Sequence, residues 1–130
     1  MEMYIPFPGI DADLAVKKHM YICVEKSNSK DFAKCQTFKP IKHLTKNGSR
    51  GYFLIETADP ARNPFTRTTA IEYGKIFCVS DCLIERNNVR CICVSLLNAL
   101  KKKIKAIGAR RVELDSDNLA MLNSFIKKIV

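Results

Sequence analysis

Residues 75–107 read KIFCVSDCLIERNNVRCICVSLLNALKKKIKAI, and a change of rhythm inside them decides the fold class. The first six, 75–80, hold the apolar run Ile76 to Val79, with β-branched and aromatic residues, and read as a strand. From Asn88 onward Leu97, Leu100, Ile104 and Ile107 recur at helical spacing, and Lys101, Lys102, Lys103 and Lys105 fill the surface between them. Gly108 is a C-terminal cap, and the lysines of the last turns complement the helix dipole. The start of this helix is open, because 89–94 is β-branched and reads equally as strand.

Upstream the pattern is short strands. Residues 20–25 (MYICVE), 32–38 (FAKCQTF) and 51–57 (GYFLIET) are β-type runs, and 66–73 is a short strand or turn. Ser, Asn and Asp in 26–31 mark a turn, 39–50 is a long basic loop ending at Asn47-Gly48, and Asp59-Pro60 and Asn63-Pro64 initiate turns in 58–64. Pro6 and Pro8 keep 3–10 extended, and 11–18 reads as a polar loop. Downstream, Ser116 or Asp117 caps a second helix whose apolar stripe is Leu119, Leu122, Ile126 and Ile129. Strands first and helices last imply an α+β fold with an antiparallel sheet. Short strands with Gly and Pro turns imply a small barrel over about 1–80, followed by a helical part over about 88–130 with helices near 90–107 and 117–129. A length of 130 residues fits one domain with one core, over 1–130.

Six cysteines, Cys23, Cys35, Cys78, Cys82, Cys91 and Cys93, are many for this length. Several sit among apolar neighbours and read as reduced core thiols. The spacings 78/82 and 91/93 are not the CxxC knuckle, and His19 and His43 are remote, so no zinc and no other cofactor is expected. The N-terminus lacks the basic start and apolar stretch of a signal peptide, and no apolar run is long enough to cross a bilayer. The expected location is the cytoplasm, away from membrane.

The net charge is +9, and it is concentrated at the two ends. Residues 1–52 carry nine Lys and Arg against five acids, 53–90 balance at five each, and 91–130 carry eight against three. Such a surface favours nucleic acid or an acidic protein. Arg62 and Arg67 flank Pro64-Phe65, and basic residues around an aromatic suit single-stranded RNA if the ring is exposed. The same loop reads equally as an ordinary one with Phe65 buried. There is no phosphate-binding glycine loop, dinucleotide turn or serine nucleophile elbow.

Several stretches resemble the PemK/MazF-like family of toxin ribonucleases. Tyr4 to Phe7, then Lys17-Lys18-His19 and 20–24, is similar to that family's opening strand, its basic-residue-Pro step and its core strand. Residues 32–37 resemble its second strand, which ends in a polar Thr. Asn63-Pro64-Phe65 through Tyr73-Gly74-Lys75-Ile76 resembles the approach to its last barrel strand, and the helix over 96–107 stands where the family's helix does. The resemblance covers roughly 4–107, and 111–130 extends past the family's usual end. It implies an SH3-like barrel, a homodimer, RNA as ligand, an acidic antitoxin-like protein partner of a toxin-antitoxin system, and metal-independent endoribonuclease chemistry.

In that chemistry the 2′-hydroxyl attacks the adjacent phosphate. A base takes its proton, a cation meets the charge on phosphorus, and an acid protonates the leaving oxygen. Carried onto this sequence, the catalytic candidates are Lys18, His19 and Thr37, and the RNA-binding candidates are Lys17, Arg62, Phe65 and Arg67. The family's Arg-Pro is replaced by Lys18-His19. Lysine keeps the charge but loses the two-pronged grip on phosphate, and histidine adds a group that moves protons near neutral pH. Three readings stand: such a ribonuclease or a degenerate relative, a nucleic-acid-binding barrel without catalysis, and a module whose basic face meets an acidic protein.

Overall fold

Residues 76–79, IFCV, are apolar without a break and all four are buried, which is the pattern of a strand covered on both faces. The computed structural model describes residues 2–3, 19–25, 29–40, 44–45, 48–49, 52–85 and 91–129, with the backbone alone at 2–3, 19, 44–45 and 48–49. In chain order the elements are β1 (Glu2–Met3), β2 (His19–Glu25), β3 (Ser29–Thr37), β4 (Leu44–Thr45), β5 (Gly48–Ser49), β6 (Phe53–Glu56), β7 (Thr69–Glu72), β8 (Lys75–Ser80), β9 (Cys82–Ile84), α1 (Val94–Ile107), β10 (Arg110–Glu113), α2 (Ser116–Leu122) and β11 (Ile126–Lys128). The lead-in beyond Met3 and the loop at 11–18 lie outside the described residues.

β3 organises the sheet. One edge pairs antiparallel with β2, Met20 opposite Cys35 and Cys23 opposite Phe32. The other edge is shared. Its C-terminal half pairs with β7, Cys35 opposite Ile71, and its N-terminal half pairs with β8, Phe32 opposite Phe77. Three steps along β3, from Phe32 to Cys35, therefore face six steps from Ile71 to Phe77. The surplus bulges out around Tyr73-Gly74. Beyond that bulge the sheet forks: β6 pairs with β7, while β10 pairs with β8.

The β8–β10 pair is parallel, Lys75 opposite Arg110 and Val112 opposite Phe77, and α1 makes the crossover between them. This corrects the expectation of an all-antiparallel sheet followed by helices alone. The class is α+β, with a mixed sheet and two helices. Among the described residues no pairing joins the edge strands β1 and β6. The basic loop at 39–50 contains a small hairpin, Thr45 opposite Gly48, outside the main sheet. Asp81 takes a left-handed φ of 57°, a conformation a short polar side chain tolerates, and turns β8 into β9, which pairs with β11.

Alternate residues of each strand go to two separate apolar clusters. Tyr21, Phe32, Phe77 and Val79 pack with Val112, Leu119 and Ile126. Ile22, Ala33, Cys35, Ile76 and Cys78 pack with Ile71, Phe65 and Leu100. One face is thus covered by α1, the other by α2 and β11. On α1 the buried residues are Leu96 and Leu100, with Leu97 and Ile104 partly buried, while Ile107 is 40% exposed. The buried stripe is rotated toward Leu96 relative to the one read from the sequence. Gly108 ends α1 with φ 65°, its amide and that of Ala109 closing on Lys105 and Ile104 carbonyls.

The second helix is shorter than expected, and 126–128 is a strand. Asp115 caps it, accepting from the Asp117 and Asn118 amides at 2.8 and 3.1 Å. At its far end the buried Asn123 side chain donates to the Leu119 carbonyl at 2.9 Å, and the Ile126 amide donates back to the Asn123 carbonyl. That turn stops the helix and frees Ile126 to pair opposite Ile84. Among the described residues no helix is long and apolar enough to cross a membrane.

Leu100 is fully buried where α1 meets the sheet. Leu100→Ala is expected to lower unfolding stability by about 2–5 kcal/mol, read as a fall in urea midpoint at unchanged m-value. A loss below about 0.5 kcal/mol would show that α1 is not seated on the sheet.

Candidate nucleic-acid interface

The expected site residues fall into three groups. Lys17 and Lys18 lie outside the described residues, and for His19 only the backbone is described, as the first residue of β2. Thr37 is the exposed last residue of β3. It stands opposite Thr69, and the next amide, Phe38, donates to the Thr68 carbonyl at 2.9 Å. The Thr69 hydroxyl donates to the Arg67 carbonyl, also at 2.9 Å, and Arg67 is exposed. Thr37 and Arg67 therefore share one end of the sheet. The His19 backbone reaches that end too, since its neighbour Met20 faces Cys35, two residues before Thr37.

Arg62 and Phe65 belong to the structure of their loop. The Arg62 Nε donates to Glu56 Oε1 at 2.7 Å, and this bond holds the guanidinium firmly protonated. Its charge is partnered before any phosphate arrives. Phe65 is 7% exposed and packs in the α1-side cluster, so its ring is closed to a base. The organiser of the loop is Asn63, 3% exposed. Its side-chain oxygen accepts from the Asp59 and Phe65 amides at 3.2 and 3.1 Å, while its amide donates to the Thr57 carbonyl at 3.0 Å. An Asn before Pro in a turn signals such a knot, but not that the knot buries the adjacent Phe.

Other cations are more available. Lys101, Lys102, Lys103 and Lys105 are exposed on α1, as is Arg110 on β10. Lys103 Nζ lies 5.4 Å from the Tyr73 ring centre, and Tyr73 meets Tyr52 at 5.8 Å with the rings tilted by 53°. Lys75 Nζ lies 5.4 Å from the Phe77 ring centre. A cleft lies between α1 and the sheet, where Lys101, Lys105 and Arg111 face Glu25 and Asp31. There Arg111 Nη2 donates to both Asp31 oxygens at 3.0 Å, reaching across β8 from β10 to β3. Asp31 is only 8% exposed, so this pair satisfies a buried carboxylate. The sequence carried no sign of it, because the partners are 80 residues apart.

The thiols divide by environment. Cys35, Cys78 and Cys82 are core residues, as the sequence implied, whereas Cys91 is exposed. Burial pushes the Cys35 thiol up to about 12, and burial, with Asp31 alongside, does the same for Cys78. Cys93, at the start of α1, goes the other way: its sulfur sits 3.2 Å from Ser95 Oγ, and that bond, the Leu96 amide and nearby Arg62 lower it. Among the described residues no group of three or more His, Cys, Asp or Glu is placed to hold a metal.

Comparison of the chain with protein-family models, with curated proteins and with solved structures finds no match.

A thiol whose folded pKa is raised favours folding fully below its ordinary value of 9.0 and loses that contribution as pH climbs toward 12. Stability is therefore expected to fall between pH 9 and 12, and Cys35→Ala should flatten part of that fall. Urea midpoints of both proteins across the range give the difference in slope; parallel curves would mean that Cys35 ionises as freely in the native state as in the unfolded one.

Proposed function

We propose that the protein binds RNA and cleaves it without a metal ion, in the manner of the PemK/MazF-like toxin ribonucleases it resembles. The observation that carries this reading is the convergence of Thr37, Arg67 and the first residue of β2, His19, at one end of the sheet. In the proposed reaction the RNA 2′-oxygen bonds to the adjacent phosphorus as the bond to the 5′-oxygen breaks. His19 moves a proton, Lys18 meets the charge gathering on the phosphate oxygens, and Thr37 donates a hydrogen bond to them. Lys17 and Arg67 hold flanking phosphates. Arg62, tied to Glu56, holds the loop that leads to Arg67. The reading extends to a homodimer, to an acidic antitoxin-like partner covering the cationic face, and to the cytoplasm as location.

Incubation with mixed-sequence RNA in EDTA tests it. Cleavage leaving 5′-hydroxyl ends is expected, and Lys18→Ala with His19→Ala should reduce it at least a hundredfold, the scale of a general acid-base contribution, with the melting transition nearly unchanged. Undiminished cleavage by the double variant would move the active site elsewhere. Salt-sensitive RNA binding without cleavage by the wild type would favour the non-catalytic barrel, and neither binding nor cleavage at low salt would favour the protein-interaction module.

A further inference from the structure

The bulge between β7 and β8 does more than join two strands. It presents Gly74 to the ring of Tyr52. A Cβ at Gly74 would stand 2.6 Å from Tyr52 Cδ2 and 3.0 Å from its Cβ, so the ring can lie there only over a glycine. The backbone fixes the arrangement from both sides. The Tyr73 amide donates to the Tyr52 carbonyl at 2.9 Å, and the Arg110 amide donates to the Gly74 carbonyl at 2.9 Å. Tyr73 braces the ring edge, and Tyr52 remains 50% exposed. An open cleft beside it is lined by Tyr52, Phe53, Glu72, Gly74, Lys75 and Arg110. Lys75 and Arg110 face each other in register across β8 and β10, and neither is in an ion pair with a described carboxylate.

We propose that Tyr52, seated on Gly74 and braced by Tyr73, is a stacking platform for one unpaired base of a single-stranded RNA, with Lys75 and Arg110 holding the flanking phosphates. This rests on the RNA-binding reading above and locates a part of the binding surface away from the Thr37 end. A half-exposed aromatic ring backed by protein offers one free face, which suits a base that is not already stacked in a duplex. Every base has such a face, so the platform adds grip without selecting sequence. The two cations line the same cleft as the ring, and Lys103 over Tyr73 adds to the positive field. Glu72 is the one carboxylate among the lining residues, and it directs the phosphates to the Lys75 and Arg110 side.

The test uses a short single-stranded RNA, 2′-O-methylated so that it cannot be cut, carrying one 2-aminopurine and a terminal dye. Anisotropy reports binding, and 2-aminopurine fluorescence reports stacking. Binding with quenched 2-aminopurine is expected for the full chain. Tyr52→Ala should weaken binding about tenfold and relieve the quench, Tyr52→Phe should behave as wild type, and Lys75→Ala with Arg110→Ala should reduce the logarithmic salt slope by about 1.4. Binding without quenching, or with equal affinity in Tyr52→Ala, would overturn the platform and leave the RNA reading in place. If Tyr52→Ala fails to fold, the wild-type quench and the salt slope of the double variant still decide. Absence of wild-type binding at low salt would overturn both.

Discussion

The structure depends on one strand having two partners on the same edge. β3 spends its first half against β8 and its last half against β7. A flat, straight strand pair would keep one register throughout, and the extra residues between Ile71 and Phe77 forbid that. The mismatch is absorbed locally, where Gly74 lies so close under Tyr52 that no side chain would fit. It also sets the topology. With β7 and β8 offset, their outer edges no longer line up, so one takes β6 and the other takes β10. The parallel β10 in turn requires a crossover, which α1 supplies.

Burial of both faces follows from that crossover. α1 covers one side of β3 and β8 and the short α2–β11 unit covers the other, so alternate residues along the strands have different but equally apolar destinations. Small thiols suit such a doubly covered sheet, since Cys35 and Cys78 fill space without a polar group that needs a partner. Charged residues are driven to the rims and to the outer side of α1. The exception among the described residues, Asp31, is tolerated because Arg111 reaches across β8 to meet it, and the same contact ties the late strand β10 to the central strand β3.

What could be read in the sequence follows the same division. β8 is legible at its true bounds because Ile76 to Val79 form an unbroken apolar run with polar Lys75 and Ser80 at its ends, and α1 because its lysines and leucines alternate at helical spacing. β10 was invisible: RRVE buries only Val112, and a parallel pairing with a strand more than 30 residues earlier leaves no local periodicity. The sequence of β11 reads as helix because Leu119 and Ile126 are seven apart, a helical interval. The turn made by the buried Asn123 side chain, which stops the helix, depends on tertiary burial rather than on spacing. The candidate site was legible only as composition. The dipeptides in 58–64 mark the turn that the structure has there, yet Phe65 faces the core and Arg62 faces Glu56, outcomes decided by contacts that no short motif encodes.

The charge of the chain therefore has two populations. Arg62, Arg111 and Lys128 sit against carboxylates at 2.7 to 3.0 Å and hold elements together. Their fields are largely cancelled at a distance by the partners they face. Lys75, Arg110 and the lysines of α1 have no such partner among the described residues, and they sit on or beside the fork in the sheet. The paired cations cancel against their carboxylates within the net charge of +9, and the excess belongs to the unpaired ones. Exposed charges separated by more than a Debye length, about 10 Å at moderate salt, act almost independently. Only cations gathered within that range form a surface able to attract a polyanion. The bulge that reconciles β7 with β8 is what gathers Lys75 and Arg110 beside two tyrosines, so the same backbone irregularity that completes the fold also concentrates its field.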